Sequence, residues 1–94
     1  MEIIWRVVAL EGLDEAHRYI ARDNPDAADR IRSAIRAAVE RLTLYPNFGR
    51  PGRVDETREL VVPDTPYTVA YTVLDNQVAI IAVQHGPEEW PERF

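Results

Sequence analysis

The 94 residues carry 16 acidic against 11 basic side chains, a formal net charge of −5, and no cysteine. That length allows one thin core, the missing thiols exclude a disulfide framework and a thiolate metal site, and the acidic balance disfavours non-specific attraction to nucleic acid. An apolar content of 46% is too high for a disordered chain, and no stretch approaches the roughly 20 apolar residues of a membrane span.

The N-terminus, MEIIWRVVAL, has Glu2 and Arg6 inside its apolar stretch and no basic leader, which predicts a cytoplasmic protein without a signal peptide. The segment EIIWRVV, residues 2–8, is β-branched and aromatic and predicts a strand. Leu10, Leu13, His17 and Ile20 then recur at steps of three and four, the spacing of an amphipathic helix. A histidine on such a stripe, here His17, is expected to sit in a core or interface holding one hydrogen bond.

Asn24 suits an N-cap, Pro25 the first helical position and Asp26 the positive end of the helix dipole. A second helix is predicted from there to about Tyr45, with its apolar stripe at Ala28, Ile31, Ile35, Ala38, Leu42 and Tyr45. Asp29, Arg32, Arg36 and Glu40 occupy the other face and read as solvated. A link this short makes the two helices a hairpin.

Pro46 ends the second helix, and NFGRPGR reads as a loop. Strands are predicted over 57–62 (TRELVV), 66–74 (PYTVAYTVL) and 77–85 (QVAIIAVQH), with Asp75-Asn76 at a tight hairpin between the last two. In the middle strand Tyr67, Val69, Tyr71 and Val73 share one face, and Thr68, Ala70 and Thr72 share the other, which predicts a dry face and a wet one. The order β-α-α-β-β-β defines an α+β fold in two layers, a helical hairpin packed on an antiparallel sheet, with residues 1–94 as one domain. Counting directions, the first of these strands runs opposite to the second and fourth and pairs antiparallel with one of them.

Several side chains invite chemistry. Arg50, Arg53 and Arg58 cluster around the glycine-rich loop, where arginine forks bind phosphate or an acidic partner segment. Asp55, Glu56 and Glu59 stand close enough in sequence to balance them instead. The GRPG of residues 49–52 matches a nucleic-acid-binding Gly-x-x-Gly loop, but it lies between a helix and a strand and reads as a turn. Tyr67 and Tyr71 read as sheet core with hydroxyls at its rim. His85, leaving the last strand, with Glu88 three residues later, is of the right type for proton transfer. The same pair also fits a polar strand end, with Trp90-Pro91 covering one end of the core. The two histidines have no ligand spacing, so neither a metal nor another cofactor is expected.

Taken in order, these pieces resemble a known family. IIW near the start, YIA in the first helix, NP and then AA in the second, GRPGR after it, TRELVV, the PY that opens the middle strand, and the ending HG…WP are similar to the RelE/ParE superfamily of small bacterial toxins from type II toxin–antitoxin systems. The resemblance implies a cognate antitoxin that neutralises the toxin in a hetero-oligomeric complex, wrapping it with a tail that folds on binding. It also implies one of two targets. ParE-like members poison DNA gyrase. RelE-like members cleave mRNA on the ribosome, with basic groups and often a tyrosine stabilising phosphate charge and activating the ribose 2′-hydroxyl. On that second reading Arg58, Tyr71, His85 and position 88 are the catalytic candidates, and Arg50, Arg53, Arg58 and Trp90 the binding ones. Thr68 and Glu88, however, stand where RelE-like nucleases often carry arginine, and a carboxylate there repels the phosphate. The resemblance therefore favours a gyrase inhibitor, with the ribonuclease, or a detoxified form that keeps only antitoxin binding, as alternatives.

Overall fold

The computed structural model describes residues 1–86. Glu88 and Trp90 lie outside the described residues.

Strand β1 (Glu2–Trp5) is followed at once by helix α1 (Val7–Ala21) and, after a short turn, by helix α2 (Pro25–Glu40), which tightens into a 3₁₀ turn at Arg41–Thr43. The Asn24 side-chain oxygen accepts a hydrogen bond from the Ala27 amide at 3.0 Å, and Pro25 opens the helix, so the cap forms where its residue types predict. Helix α1 buries Ala9, Leu13 and Ala16, and α2 buries Ala28, Ile35, Ala38 and Val39. Between the two helices His17 Nε2 and Asp29 Oδ1 lie 2.7 Å apart. Asp29 thus faces α1, and Arg36 lies over the Trp5 ring, 6.0 Å from its centroid, so part of the face expected to be solvated is engaged.

The first helix begins earlier than its sequence suggests. Val7 and Val8, expected at the end of the first strand, lie in its opening turn and are 69% and 63% exposed. Pairing of β1 stops at Trp5 opposite Ile80, the Arg6 amide binds the Ile80 carbonyl, and the Arg6 carbonyl already accepts from the Leu10 amide. Tertiary pairing overrides the β preference of the two valines.

Beyond α2 come β2 (Arg50–Pro51), β3 (Arg58–Val61), β4 (Tyr67–Leu74) and β5 (Gln77–His85). They form one sheet in the order β1-β5-β4-β3-β2. The sheet is mixed: β1 runs parallel to β5, where an antiparallel pairing was expected. The cause is β2. Its two residues, read as loop from the sequence, pair antiparallel with β3 and add one reversal to the chain's direction count.

The core lies between the helices and one face of the sheet, where Leu60, Val69, Tyr71, Val78, Ile80 and Val83 are buried. Gly12 lets α1 approach β5 closely, since a Cβ there would stand 2.9 Å from the Val83 carbonyl oxygen. The opposite face is drier than its alternation implies: Thr68, Ala70 and Ala82 are also buried. These are short side chains on two strands that are paired on both sides. A register shift between Ala70 and Tyr71 leaves Ile81 without a partner in β4, a β-bulge at the middle of the ladder.

Candidate functional site

The loop between the 3₁₀ turn and β2 is held from beneath by side chains of the sheet. The Tyr71 hydroxyl accepts a hydrogen bond from the Gly49 amide and donates one to the Pro46 carbonyl, each at 2.8 Å. Arg58, directly opposite Tyr71 in the β3–β4 ladder, donates from Nη1 to the carbonyls of Gly49 at 2.7 Å and Asn47 at 3.2 Å. Gly49 is required for this approach. A Cβ at that position would lie 2.8 Å from the Tyr71 ring and hydroxyl and 2.9 Å from the Glu59 carbonyl.

Tyr71 is completely buried. Burial pushes its phenol above the ordinary value, opposed in part by the Gly49 amide and the Arg58 charge. At neutral pH it is an uncharged hydroxyl with donor and acceptor both occupied.

On the other face of β3, Glu59 is 4% exposed and stands directly opposite Arg50 in the β2–β3 ladder. Its carboxylate accepts from the Arg53 amide at 2.8 Å, from Arg53 Nε at 3.3 Å and from Arg50 Nη2 at 3.3 Å. Burial alone raises the pKa of this carboxyl, but the Arg53 amide and guanidinium, with Arg50, outweigh it and hold the group below its ordinary value. The expected balancing of the arginine cluster therefore falls on one of the three carboxylates named, Glu59.

His85 stands at the far end of β5, opposite Tyr67, and its ring meets the Tyr67 ring edge-on with centroids 5.6 Å apart. Tyr67 and Tyr71 are four residues apart on β4, roughly 13 Å at strand rise. The fold thus brings Arg58 and Tyr71 together and sets His85 well away from both. A groove of about 870 Å³ runs beside His85 between α1 and the end of β5, with Glu15, Arg18, Tyr19 and Arg22 on its helical wall. Among the described residues no group of His, Asp and Glu could hold a metal ion, and no helix is long and apolar enough to cross a membrane.

One feature of the loop escaped the sequence. Tyr45, assigned to the buried stripe of the second helix, is 62% exposed, because α2 gives way to the 3₁₀ turn after Glu40 and the stripe rotates out of register.

Residues 3–90 match the family model described as the ParE toxin of the type II toxin–antitoxin system parDE. The chain belongs to this toxin family. A protein of Sinorhizobium fredii named "Putative toxin Y4kP" is 46% identical over 90 residues, covering 96% of this chain and 93% of that one. "Toxin RelE2" of Caulobacter vibrioides is 32% identical over 85 residues, 90% of this chain and 94% of its own. A structure titled "Chromosomal ParDE TA system from P. aeruginosa" superposes with a TM-score of 0.83 at 22% identity, covering 90% of this chain and 95% of the other, a likeness of fold. The protein is a toxin of the RelE/ParE superfamily, and membership of a type II system implies a cognate antitoxin as its partner.

Proposed function

We propose that this ParE-family toxin arrests growth by inhibiting DNA gyrase and is held inactive by its antitoxin. The observation that carries the reading is the use made of Tyr71 and Arg58. A ribonuclease would need a tyrosine and an arginine presented to the scissile phosphate. Here both stand beneath the 46–49 loop, the tyrosine without exposure and with its hydroxyl fully hydrogen-bonded. We assign them a structural task. The remaining candidate base, His85, is distant from them, and the Arg50 and Arg53 guanidiniums share the Glu59 carboxylate. Thr68 and Glu88, where arginine is frequent in the nucleases, point the same way from sequence.

The likeness to a relative named RelE2 favours a second reading, ribosome-dependent mRNA cleavage. A supercoiling assay with purified gyrase separates the two. On the gyrase reading, supercoiling is inhibited by the toxin and restored by adding antitoxin. Undisturbed supercoiling, together with cut transcripts in a ribosome assay, would replace it with the nuclease. Inactivity in both assays with antitoxin binding retained would mark a detoxified chain.

A further inference from the structure

Leu44, Tyr45 and Phe48 are 76%, 62% and 70% exposed, three large apolar side chains within five residues. We propose that they form the surface by which the toxin grips its folded target, a protein with a preformed apolar pocket rimmed by carboxylates. The inference rests on the toxin reading above and deepens it by locating the contact.

The first support is the backbone that carries these side chains. The Leu44 and Tyr45 amides bind the Arg41 carbonyl, and the Phe48 amide binds the Tyr45 carbonyl. Tyr71 holds the Pro46 carbonyl and the Gly49 amide, and Arg58 holds the carbonyls of Asn47 and Gly49. A loop fastened at so many successive peptide groups loses little conformational freedom on docking, so its apolar side chains deliver more of their burial energy as affinity. Rigid aromatic anchors of this kind dominate the energetics of many interfaces.

The second support is charge. Between Glu40 and Asp55 the chain has Arg41, Arg50 and Arg53 and no acidic residue, although its net charge is −5. The apolar knuckle therefore stands in a locally basic frame, complementary to a carboxylate rim. The third is shape. An extended segment that folds on binding settles into a groove, whereas a protruding loop of fixed form is complemented by a pocket that already exists. That requirement selects a folded target over an antitoxin tail.

The double substitution Tyr45→Ser with Phe48→Ser tests this. Both side chains are largely exposed, so melting temperature is expected to stay within a few degrees of the unaltered toxin. Binding to purified gyrase should weaken by at least about 30-fold, the loss of two interface anchors, and growth arrest should disappear. Affinity for the antitoxin should change less than about threefold, as expected for side chains outside that contact. Arg41→Glu should slow association with gyrase most strongly at low salt, and an unchanged rate would remove the acidic rim from the proposal.

Equal gyrase binding by the double variant and the unaltered toxin would overturn the inference and leave the gyrase reading intact. Parallel loss of antitoxin binding would reassign the surface to the antitoxin and also overturn it. Loss of arrest in the variant, with no gyrase binding by either protein and antitoxin binding kept, would dismiss gyrase and retain the surface for another folded target. A toxin that neither arrests growth nor binds gyrase would overturn both.

Discussion

The Tyr71 hydroxyl lies 2.8 Å from the Gly49 amide, 22 positions earlier in the chain, and joins the centre of the sheet to the loop that follows the second helix. A side chain of the type that serves catalysis in nucleases of this superfamily is here a fastening. The consequence for function is twofold: the tyrosine is withdrawn from substrate, and the loop above it is held in one shape.

Tyr71→Phe is expected to destabilise the fold by about 1–3 kcal/mol, because the buried Gly49 amide loses its acceptor and the Pro46 carbonyl its donor. Urea unfolding measures this. The slope of the transition should be unchanged, since the same surface is exposed on unfolding. A loss below about 0.5 kcal/mol, the range of ordinary surface changes, would mean that the loop is held by other contacts.

Gly49→Ala should cost about 1–3 kcal/mol, the usual range for overpacking a close approach. The added methyl meets the Tyr71 hydroxyl and the Glu59 carbonyl, neither of them the loose end of a flexible chain. Adding Tyr71→Phe to this variant should cost less than it does in the unaltered protein, because both changes disturb the same contact. Strict additivity in a double-mutant cycle would argue against that shared contact.

Much of this architecture was legible in the residues themselves. The Asn24-Pro25 cap, the α2 stripe from Ala28 to Leu42 and the hairpin at Asp75-Asn76 each have a local cause. Asp75 and Asn76 take φ values of 50° and 63°, a region that these two residue types tolerate. The parts that were not legible depend on distant partners. Two residues, Arg50 and Pro51, are too few to display strand alternation, yet they decide the direction of every strand that follows. Val7 and Val8 have strand-like side chains but lie beyond the last pairing with Ile80. For the candidate site, the arginines, His85 and the tyrosine could be named, but not that Tyr71 spends its hydroxyl on a loop more than 20 residues away.

Glu59 makes a pH prediction. Its lowered pKa means that its stabilising contribution is present in full above the ordinary carboxylate range and is lost as pH falls through the lowered value. Glu59→Gln should therefore flatten the dependence of stability on pH in the acidic range and lower stability near neutrality by about 1–3 kcal/mol, as for loss of charge-assisted hydrogen bonds at a buried site. Parallel pH profiles for the two proteins would show that the carboxylate contributes nothing specific.

The contact between His17 and Asp29 can be read directly by NMR titration of the Asp29 carboxyl. The His17 hydrogen bond holds that carboxyl below its ordinary value, with the His17 and Arg32 charges adding to the effect. In His17→Ala the Asp29 pKa should rise toward the ordinary carboxylate value, and the acid-sensitive part of the hairpin's stability should go with it. An unmoved titration would place the cause elsewhere.

Pulse-labelling of new DNA and new protein in one culture, after induction of the toxin without its antitoxin, tests the central claim most directly. The account predicts that DNA synthesis falls first while protein synthesis continues. An earlier fall in protein synthesis, with transcripts cut, would contradict it and make the protein a ribonuclease despite its buried tyrosine.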